Sequence, residues 1–171
     1  MYRLIALALL LSACGGAQTV PGYRKPGTDI WSNAVLEVPR LAGDWRQAAD
    51  FAPPGASCAA GGLTIRPVAA GGLEVSGRLC LGGQARAISG QLAASGPGRF
   101  RPSGPGFAGA DAEWWVLWAD TGYRSLVIGT PSGAFGFALD REGALPADRR
   151  AAAREILDWN GYDVTRAVFV D

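Results

Sequence analysis

The chain has 171 residues, of which 49% are hydrophobic and 18% charged, a balance that predicts one folded domain and disfavours intrinsic disorder. Sixteen basic and fifteen acidic residues give a net charge of +1, so no strong field favours nucleic acid or an anionic surface. Histidine is absent, which removes the commonest general base and zinc ligand, and we expect neither an enzyme nor a metal or other cofactor.

Residues 1–13 have the pattern of an export signal. A basic start at Arg3 precedes an apolar run over residues 4–11, shorter than the roughly 20 residues of a membrane-spanning helix. The run ends in Leu-Ser-Ala before Cys14, which resembles the lipobox of bacterial lipoproteins, where that cysteine is acylated before cleavage. We therefore predict a signal peptide at 1–13 and a lipid anchor on Cys14; the alternative is an ordinary signal peptide with an incidental cysteine.

The location follows from the same motif. Gly15 and Gly16 come after the cysteine, and the lack of Asp there resembles lipoproteins that are sorted to the outer membrane. The sequence thus predicts a lipid-anchored protein of the cell envelope, on the outer membrane and facing the periplasm. Residues 14–40 are rich in Gly, Pro and polar residues and are interpreted as a lipidated tether and docking segment before a domain at 41–171.

The domain contains short β-like runs separated by Gly or Pro clusters. There are eight of them, at residues 45–51, 58–66, 73–81, 84–92, 99–101, 113–119, 123–128 and 134–139. Even spacing of short strands predicts an antiparallel barrel or sandwich, and a closed barrel would leave no exposed sheet edge.

The pattern changes to helical spacing near the C-terminus. Pro146 is placed to begin a helix, Ala152, Ile156 and Trp159 recur at helical spacing, and Gly161 ends it. We expect this helix to pack outside the sheet; contact with a membrane surface is the alternative. Residues 166–170 indicate one more strand.

Two cysteines remain after the lipidation site. Exported proteins with two cysteines usually pair them. Alternation on the runs at 58–66 and 73–81 places Cys58 and Cys80 on the face opposite Leu63 and Ile65, and a hairpin would bring them together. The sequence predicts a surface disulfide between Cys58 and Cys80; two free thiols are the alternative.

Three motifs in order resemble the lipocalins. They are the Gly-x-Trp of Gly43 to Trp45, the turn with Asp120 and Tyr123 after an aromatic strand, and the Leu-Asp-Arg that ends at Arg141. The resemblance covers about residues 41–171, and residues 114–170 look like the bacterial lipocalin lipoproteins in particular. It implies an all-β fold, an eight-stranded antiparallel up-and-down barrel with one C-terminal α-helix outside and a short final strand.

The resemblance also implies roles for the motif residues. In the family, the Trp matched by Trp45 lies at the closed end of the barrel and the Arg matched by Arg141 packs across it, a structural cation–π contact. The second motif departs from the usual Thr-Asp-Tyr, because Thr121 and Gly122 separate Asp120 from Tyr123.

Strand alternation suggests which side chains line the barrel. We predict that the ligand-binding residues are Gln47, Phe51, Trp115, Leu117, Phe135 and Phe137. Small residues such as Gly77 are expected to leave space inside. For the apolar run 114–118 the opposite assignment, with Trp114, Val116 and Trp118 inward, stays open because no polar residue marks the alternation.

The resemblance implies that the barrel binds a fatty acid, such as palmitate, or a lysophospholipid for storage, transport or repair in the envelope. The membrane is then a partner through the lipid anchor, and nucleic acid is not. Two alternatives are a structural lipoprotein with a filled barrel and a periplasmic protease inhibitor. The resemblance of this chain to the inhibitor family would end near the middle of the chain.

Overall fold

The structure is a computed structural model that describes residues 22–171. The predicted signal peptide, Cys14 and the first part of the predicted tether lie outside the described residues. The barrel strands are β1 Gly43–Phe51, β2 Gly62–Pro67, β3 Leu73–Leu81, β4 Gln84–Gly96, β5 Arg99–Ser103, β6 Trp114–Ala119, β7 Ser125–Gly129 and β8 Gly136–Asp140. They are followed by helix α1 Ala147–Trp159 and strand β9 Ala167–Phe169.

The strands form a closed barrel. Each strand from β1 to β8 pairs antiparallel with the next, and β8 returns to pair with β1. On one side of β1, β2 pairs only with the first half of the strand, and β9 pairs with the second half. The predicted lipocalin-like barrel, with a helix and a short strand outside it, is confirmed.

Two apolar clusters lie on the two faces of this sheet. The interior cluster fills the barrel, and its largest members include Trp45, Leu63, Leu79, Ile88, Leu92, Phe100, Phe107, Trp114 and Phe137. The outer cluster lies between the sheet and α1, and includes Tyr23, Phe51, Leu117, Val127, Leu157 and Tyr162. Strands β6, β7 and β8 are therefore covered on both faces.

Helix α1 packs against the outside of the barrel, as predicted; Ile156 packs against the outer cluster, but the most buried positions differ from the predicted ones. Pro146 precedes its first turn, and Ala153 and Leu157 are buried against the outer cluster. Trp159, expected on the packed face, is 70% exposed. The correction has a simple cause: the buried stripe is offset by one position from the predicted one and includes Arg149, which forms an ion pair with Asp140 at 3.2 Å.

The segment before β1 runs along the barrel from one end to the other. The Tyr23 N–H donates to the carbonyl of Gly133, in the loop between β7 and β8. The end of the barrel with this loop is the open end. The Glu37 N–H donates to the hydroxyl of Tyr123, which lies between β6 and β7 at the opposite, closed end of the barrel. A 3-10 turn at Val38–Leu41 then covers the closed end. In residues 22–171 no helix is long and apolar enough to span a membrane.

Candidate functional site

The closed end is held by Arg141. Its guanidinium carbon lies 3.7 Å from the centre of the Trp45 ring, so the predicted cation–π contact is present. The same group donates to the carbonyl oxygens of Arg40, Ala42 and Asp44 at 3.2, 2.8 and 3.0 Å. These bonds tie the covering turn to β1 and β8, which gives Arg141 a structural role.

The second motif forms the turn beside it. Asp120 accepts hydrogen bonds from the backbone N–H groups of Gly122, Arg124 and Ser125. Burial raises the pKa of Asp120 and these bonds lower it, and the net result is a pKa below the ordinary value. Tyr123 takes a φ of 53°, and its ring lies under the Arg40 guanidinium at 4.1 Å.

The assignment of Trp115 and Leu117 to the interior is wrong. Trp114 and Val116 belong to the interior cluster, whereas Leu117 belongs to the outer cluster and Trp115 packs against it. Because the interior cluster covers one face of β6 and the outer cluster the other, every residue of the run is apolar. The open alternative for Trp114 and Val116 is therefore the observed one, while Trp118 lies outside, beyond a bulge in β6.

Phe51 also lies outside the barrel. The pairing of β1 with β8 shifts by one residue between Gln47 and Ala49, a β-bulge that reverses which side chains face inward. Phe51 then packs between Tyr23 and Tyr162, with ring centres 5.4 and 5.0 Å away. Simple alternation from Trp45 misses this reversal.

Gln47 is buried, but the protein itself satisfies its amide. The side chain donates to the Cys80 carbonyl and accepts from the Cys80 N–H, both at 2.7 Å, and also accepts from the Gly61 N–H at 3.2 Å. It thereby bridges β1 to β3 where β2 is missing. This amide closes the barrel wall and has little capacity left for a ligand.

The interior of the barrel is filled by aromatic side chains. Trp114 makes edge contacts with Phe107, Phe135 and Phe137, at ring-centre distances of 6.0, 6.2 and 5.2 Å. Beneath them, toward the closed end, an apolar cavity of about 20 Å³ remains. Ligand pockets measure roughly 300 Å³ or more, so this cavity admits no fatty acid unless side chains move.

The expected space at small residues is taken up by close contacts. A Cβ at Gly90 would lie 2.8 Å from the Phe107 ring, and one at Gly77 would lie 2.1 Å from the Gly62 carbonyl oxygen. The glycines therefore admit a ring and a neighbouring strand, and they leave no empty volume. The prediction that small residues leave room for a ligand is corrected accordingly.

A larger pocket lies at the open end, outside the aromatic cluster. This mouth pocket has a volume of about 340 Å³, and the residues that shape it include Tyr23, Pro53, Leu81, Gln84, Arg86 and Phe135. Phe135 also belongs to the interior cluster and stacks on Phe137 at 6.2 Å. It therefore separates the mouth pocket from the interior. Phe135 and Phe137 lie on the predicted face; their binding role stays a prediction.

Two polar residues on the interior face near the open end were not predicted. Arg86 is paired with Leu79 and Asp50 with Phe137, both partners being interior residues, so the polar side chains share that face. Burial raises the pKa of Asp50 to about 6, although the Gly83 N–H bonds to it. The inward position of Arg86 could have been predicted, because Arg86, Ile88 and Leu92 alternate along β4. The inward position of Asp50 could not, because the bulge in β1 changes the alternation before it.

The disulfide between Cys58 and Cys80 is present, which confirms the pairing. Cys58 lies in the loop before β2, and Cys80 is only 3% exposed, so the bridge is more buried than the predicted surface disulfide. It fastens the loop after β1 to β3 near the open end. Within residues 22–171 no cluster of His, Cys, Asp and Glu suits a metal ion.

A closed up-and-down barrel with a covered end and a pocketed open end defines the class of small β-barrel binding proteins. The chain belongs to the lipocalin-like domain family, which its sequence matches over residues 36–171. Barrels of this family bind small hydrophobic ligands. The match includes the aromatic strand, Arg141 and α1, which the protease-inhibitor alternative leaves unexplained.

Solved structures share the fold at low sequence identity. Apocrustacyanin C1 and apocrustacyanin C2 each superpose with a TM-score of 0.58 at 14% identity, over 84% of this chain and 88% of theirs. A search of curated proteins gives no match. At this identity the two structures support the fold alone.

Proposed function

We propose that this protein binds one fatty acid or lysophospholipid through the open end of its barrel and serves lipid storage, transport or repair in the cell envelope. The observation that carries the proposal is the mouth pocket of about 340 Å³, which the Phe135 ring separates from the apolar cluster that fills the barrel. An amphiphile fits this order of surfaces, with its polar group in the mouth and its chain toward the interior.

The chain would bind by displacing aromatic side chains. Burial of each methylene yields about 0.8 kcal/mol, so several methylenes offset the cost of turning one ring to another rotamer. Phe135 is the first ring on this path and Trp114 the next, since Trp114 contacts Phe135 and also lines the small cavity near the closed end.

The lipid anchor would place the open end near a membrane. Gly22 and Tyr23 lie beside the loop between β7 and β8 at the open end, and Cys14 is only eight residues before Gly22. A chain spans at most about 3.6 Å per residue, so the anchor would hold the mouth within roughly 30 Å of the bilayer. An outer-membrane anchor facing the periplasm would thus bring the pocket to its source of lipid.

The second candidate is a structural envelope lipoprotein with a filled barrel. The cavity of about 20 Å³ is the observation that favours it, because a barrel of this kind needs no ligand. The two candidates differ in one respect. A ligand-binding protein must rearrange its aromatic cluster to admit the ligand, whereas a structural protein keeps the cluster closed.

Native mass spectrometry tests the proposal. The chain with Cys14→Ser, which removes the predicted acylation site, is purified without detergent and titrated with palmitate and with a lysophospholipid. We expect copurified lipid or saturable binding of one molecule per chain. A folded chain that stays empty and binds neither amphiphile would contradict the proposal and favour the structural role.

A further inference from the structure

The mouth pocket contains a single charged side chain. Among its described lining residues only Arg86 carries a charge, and the others are apolar, glycine or uncharged polar residues. Arg86 reaches the pocket from the interior face of β4, because its partner across the ladder is Leu79, which is fully buried in the barrel. A cation therefore faces a pocket with an apolar floor.

The Arg86 guanidinium is held in place but is poorly satisfied. Its Nη2 donates to the Gln84 side-chain oxygen at 2.5 Å, and Gln84 lies on the same face of β4 because it pairs with the interior residue Leu81. The group also lies flat against Gly109, where a Cβ would be 2.7 Å from the Arg86 Cζ. The position is thus fixed on two sides.

The remaining donors of the Arg86 guanidinium lack protein acceptors. Its Nε is buried without a hydrogen-bond partner, and none of the ion pairs among residues 22–171 includes Arg86. Buried donors are normally satisfied, since an unpaired buried donor loses its hydrogen bonds to water without replacement. Arg141 differs, because four backbone carbonyl oxygens accept hydrogen bonds from its guanidinium. Arg149 also has a buried nitrogen without a hydrogen bond, but that nitrogen lies 3.2 Å from the Asp140 carboxylate, whereas Arg86 has no anionic partner among residues 22–171.

We infer that Arg86 is the head-group residue of the mouth pocket and selects amphiphiles with an anionic head. A carboxylate or a phosphate presents two oxygens in one plane, the geometry that a guanidinium fork binds best. The apolar tail would then leave the head toward Phe135 and the interior. This inference rests on the proposed function and adds the charge of the ligand to it.

The test compares three amphiphiles of equal chain length, namely dodecanoate, dodecyl phosphate and dodecanol. Each is titrated by calorimetry at pH 8, below its micelle concentration, into the unsubstituted barrel, Arg86→Met and Arg86→Lys, all carrying Cys14→Ser. Arg78→Met is the matched control, because Arg78 lies on the outer face of β3 and is exposed. Circular dichroism establishes that each variant is folded.

We expect the unsubstituted barrel to bind the anions about tenfold or more tightly than dodecanol, in line with a charged hydrogen bond. Arg86→Met should lose this preference while its dodecanol affinity stays the same, Arg86→Lys should keep part of it, and Arg78→Met all of it. Comparison of dodecanoate with dodecyl phosphate tells which anion is the better head group.

Two results would overturn the inference, and they are distinguishable. If dodecanol binds as tightly as the anions, or if Arg86→Met and Arg86→Lys both keep the preference, Arg86 selects no anion although the barrel still binds amphiphiles. If none of the three probes binds the unsubstituted barrel, the proposed function itself fails together with the inference.

Discussion

Single residues at the two ends of the barrel have opposite roles. At the closed end, Arg141 is surrounded by carbonyl acceptors and by the Trp45 ring, and its contacts are complete. At the open end, Arg86 and Asp50 each keep a buried polar atom without a partner. Satisfied groups stabilise the fold, and unsatisfied groups near a pocket mark the place where binding is to be sought.

Replacing Arg141 with lysine should destabilise the protein markedly. Lysine keeps the charge but cannot reach several carbonyl oxygens in one plane, so we expect a loss of about 2–4 kcal/mol in the free energy of unfolding. Urea denaturation measures it. Arg66→Lys, at an exposed position on β2, is the control and should change stability by less than about 0.5 kcal/mol; equal losses in the two variants would refute the role of Arg141.

Asp50 should make the protein less stable as the pH rises. Its pKa is about 6 in the folded protein against 3.8 as the ordinary value, so the folded state holds the proton more tightly than the unfolded state. Stability from this group is therefore present below pH 4 and is lost between about pH 4 and 6. Asp50→Asn should remove that loss.

The size of this effect is bounded by the pKa difference. Each pKa unit corresponds to about 1.4 kcal/mol, so Asp50→Asn should stabilise the protein by about 1–3 kcal/mol at pH 8 relative to its effect at pH 3.5. Thermal melts of both proteins at the two pH values measure it. An equal effect of Asp50→Asn at both pH values would contradict the raised pKa of Asp50 in the folded protein.

The sequence predicted the closed end better than the open end, for a physical reason. Trp45, Arg141 and the turn at Asp120 belong to motifs that can be found in the chain, although the second motif is spread out, and their contacts are with neighbouring elements at one end of the barrel. Gln47 and Asp50 lie on either side of a bulge that no residue type announces. Their burial and hydrogen bonds follow from pairing that alternation alone does not supply.

At the scale of elements, strand β6 shows where sequence alternation stops being informative. A strand with one solvent-exposed face alternates apolar and polar residues. Strand β6 has no such face, because the interior cluster covers one side and the outer cluster with α1 covers the other. Five consecutive apolar residues result. The strands and the helix could be predicted from period and turns, whereas the face of Trp114 could not.

Opening the aromatic cluster should strengthen ligand binding. Phe135→Ala joins the mouth pocket to the interior, and space for about two more methylenes should raise the affinity for a fluorescent fatty acid about tenfold. The same change should cost about 3 kcal/mol of stability. Fluorescence titration and urea denaturation measure the two quantities.

Trp115→Ala is the control for that experiment, because Trp115 packs against the outer cluster and has Arg99 over its ring at 4.0 Å. It should lower stability and leave the affinity unchanged. An affinity that falls in Trp115→Ala, or that falls in Phe135→Ala, would contradict the placement of the pocket.

At the scale of the whole molecule, the disulfide holds the part of the barrel that β2 does not cover. Cys58 and Cys80 are 22 residues apart, and a crosslink across such a loop contributes about 3 kcal/mol. The Cys58→Ala and Cys80→Ala double variant should lose about this much in urea denaturation. The reduced, unsubstituted protein should match it; no loss in either would show that Gln47 alone closes the wall.

The open-end pocket is the central claim, and paramagnetic NMR tests it most directly. A fatty acid with a nitroxide beside its carboxylate is added to the isotope-labelled chain carrying Cys14→Ser, and amide broadening is mapped. We predict broadening around Gly82, Gly109 and Ala134 at the mouth, with the amides of Gly98 and Arg141 at the closed end unaffected. Broadening centred on the exposed ring of Trp159, or no saturable broadening at all, would contradict the account.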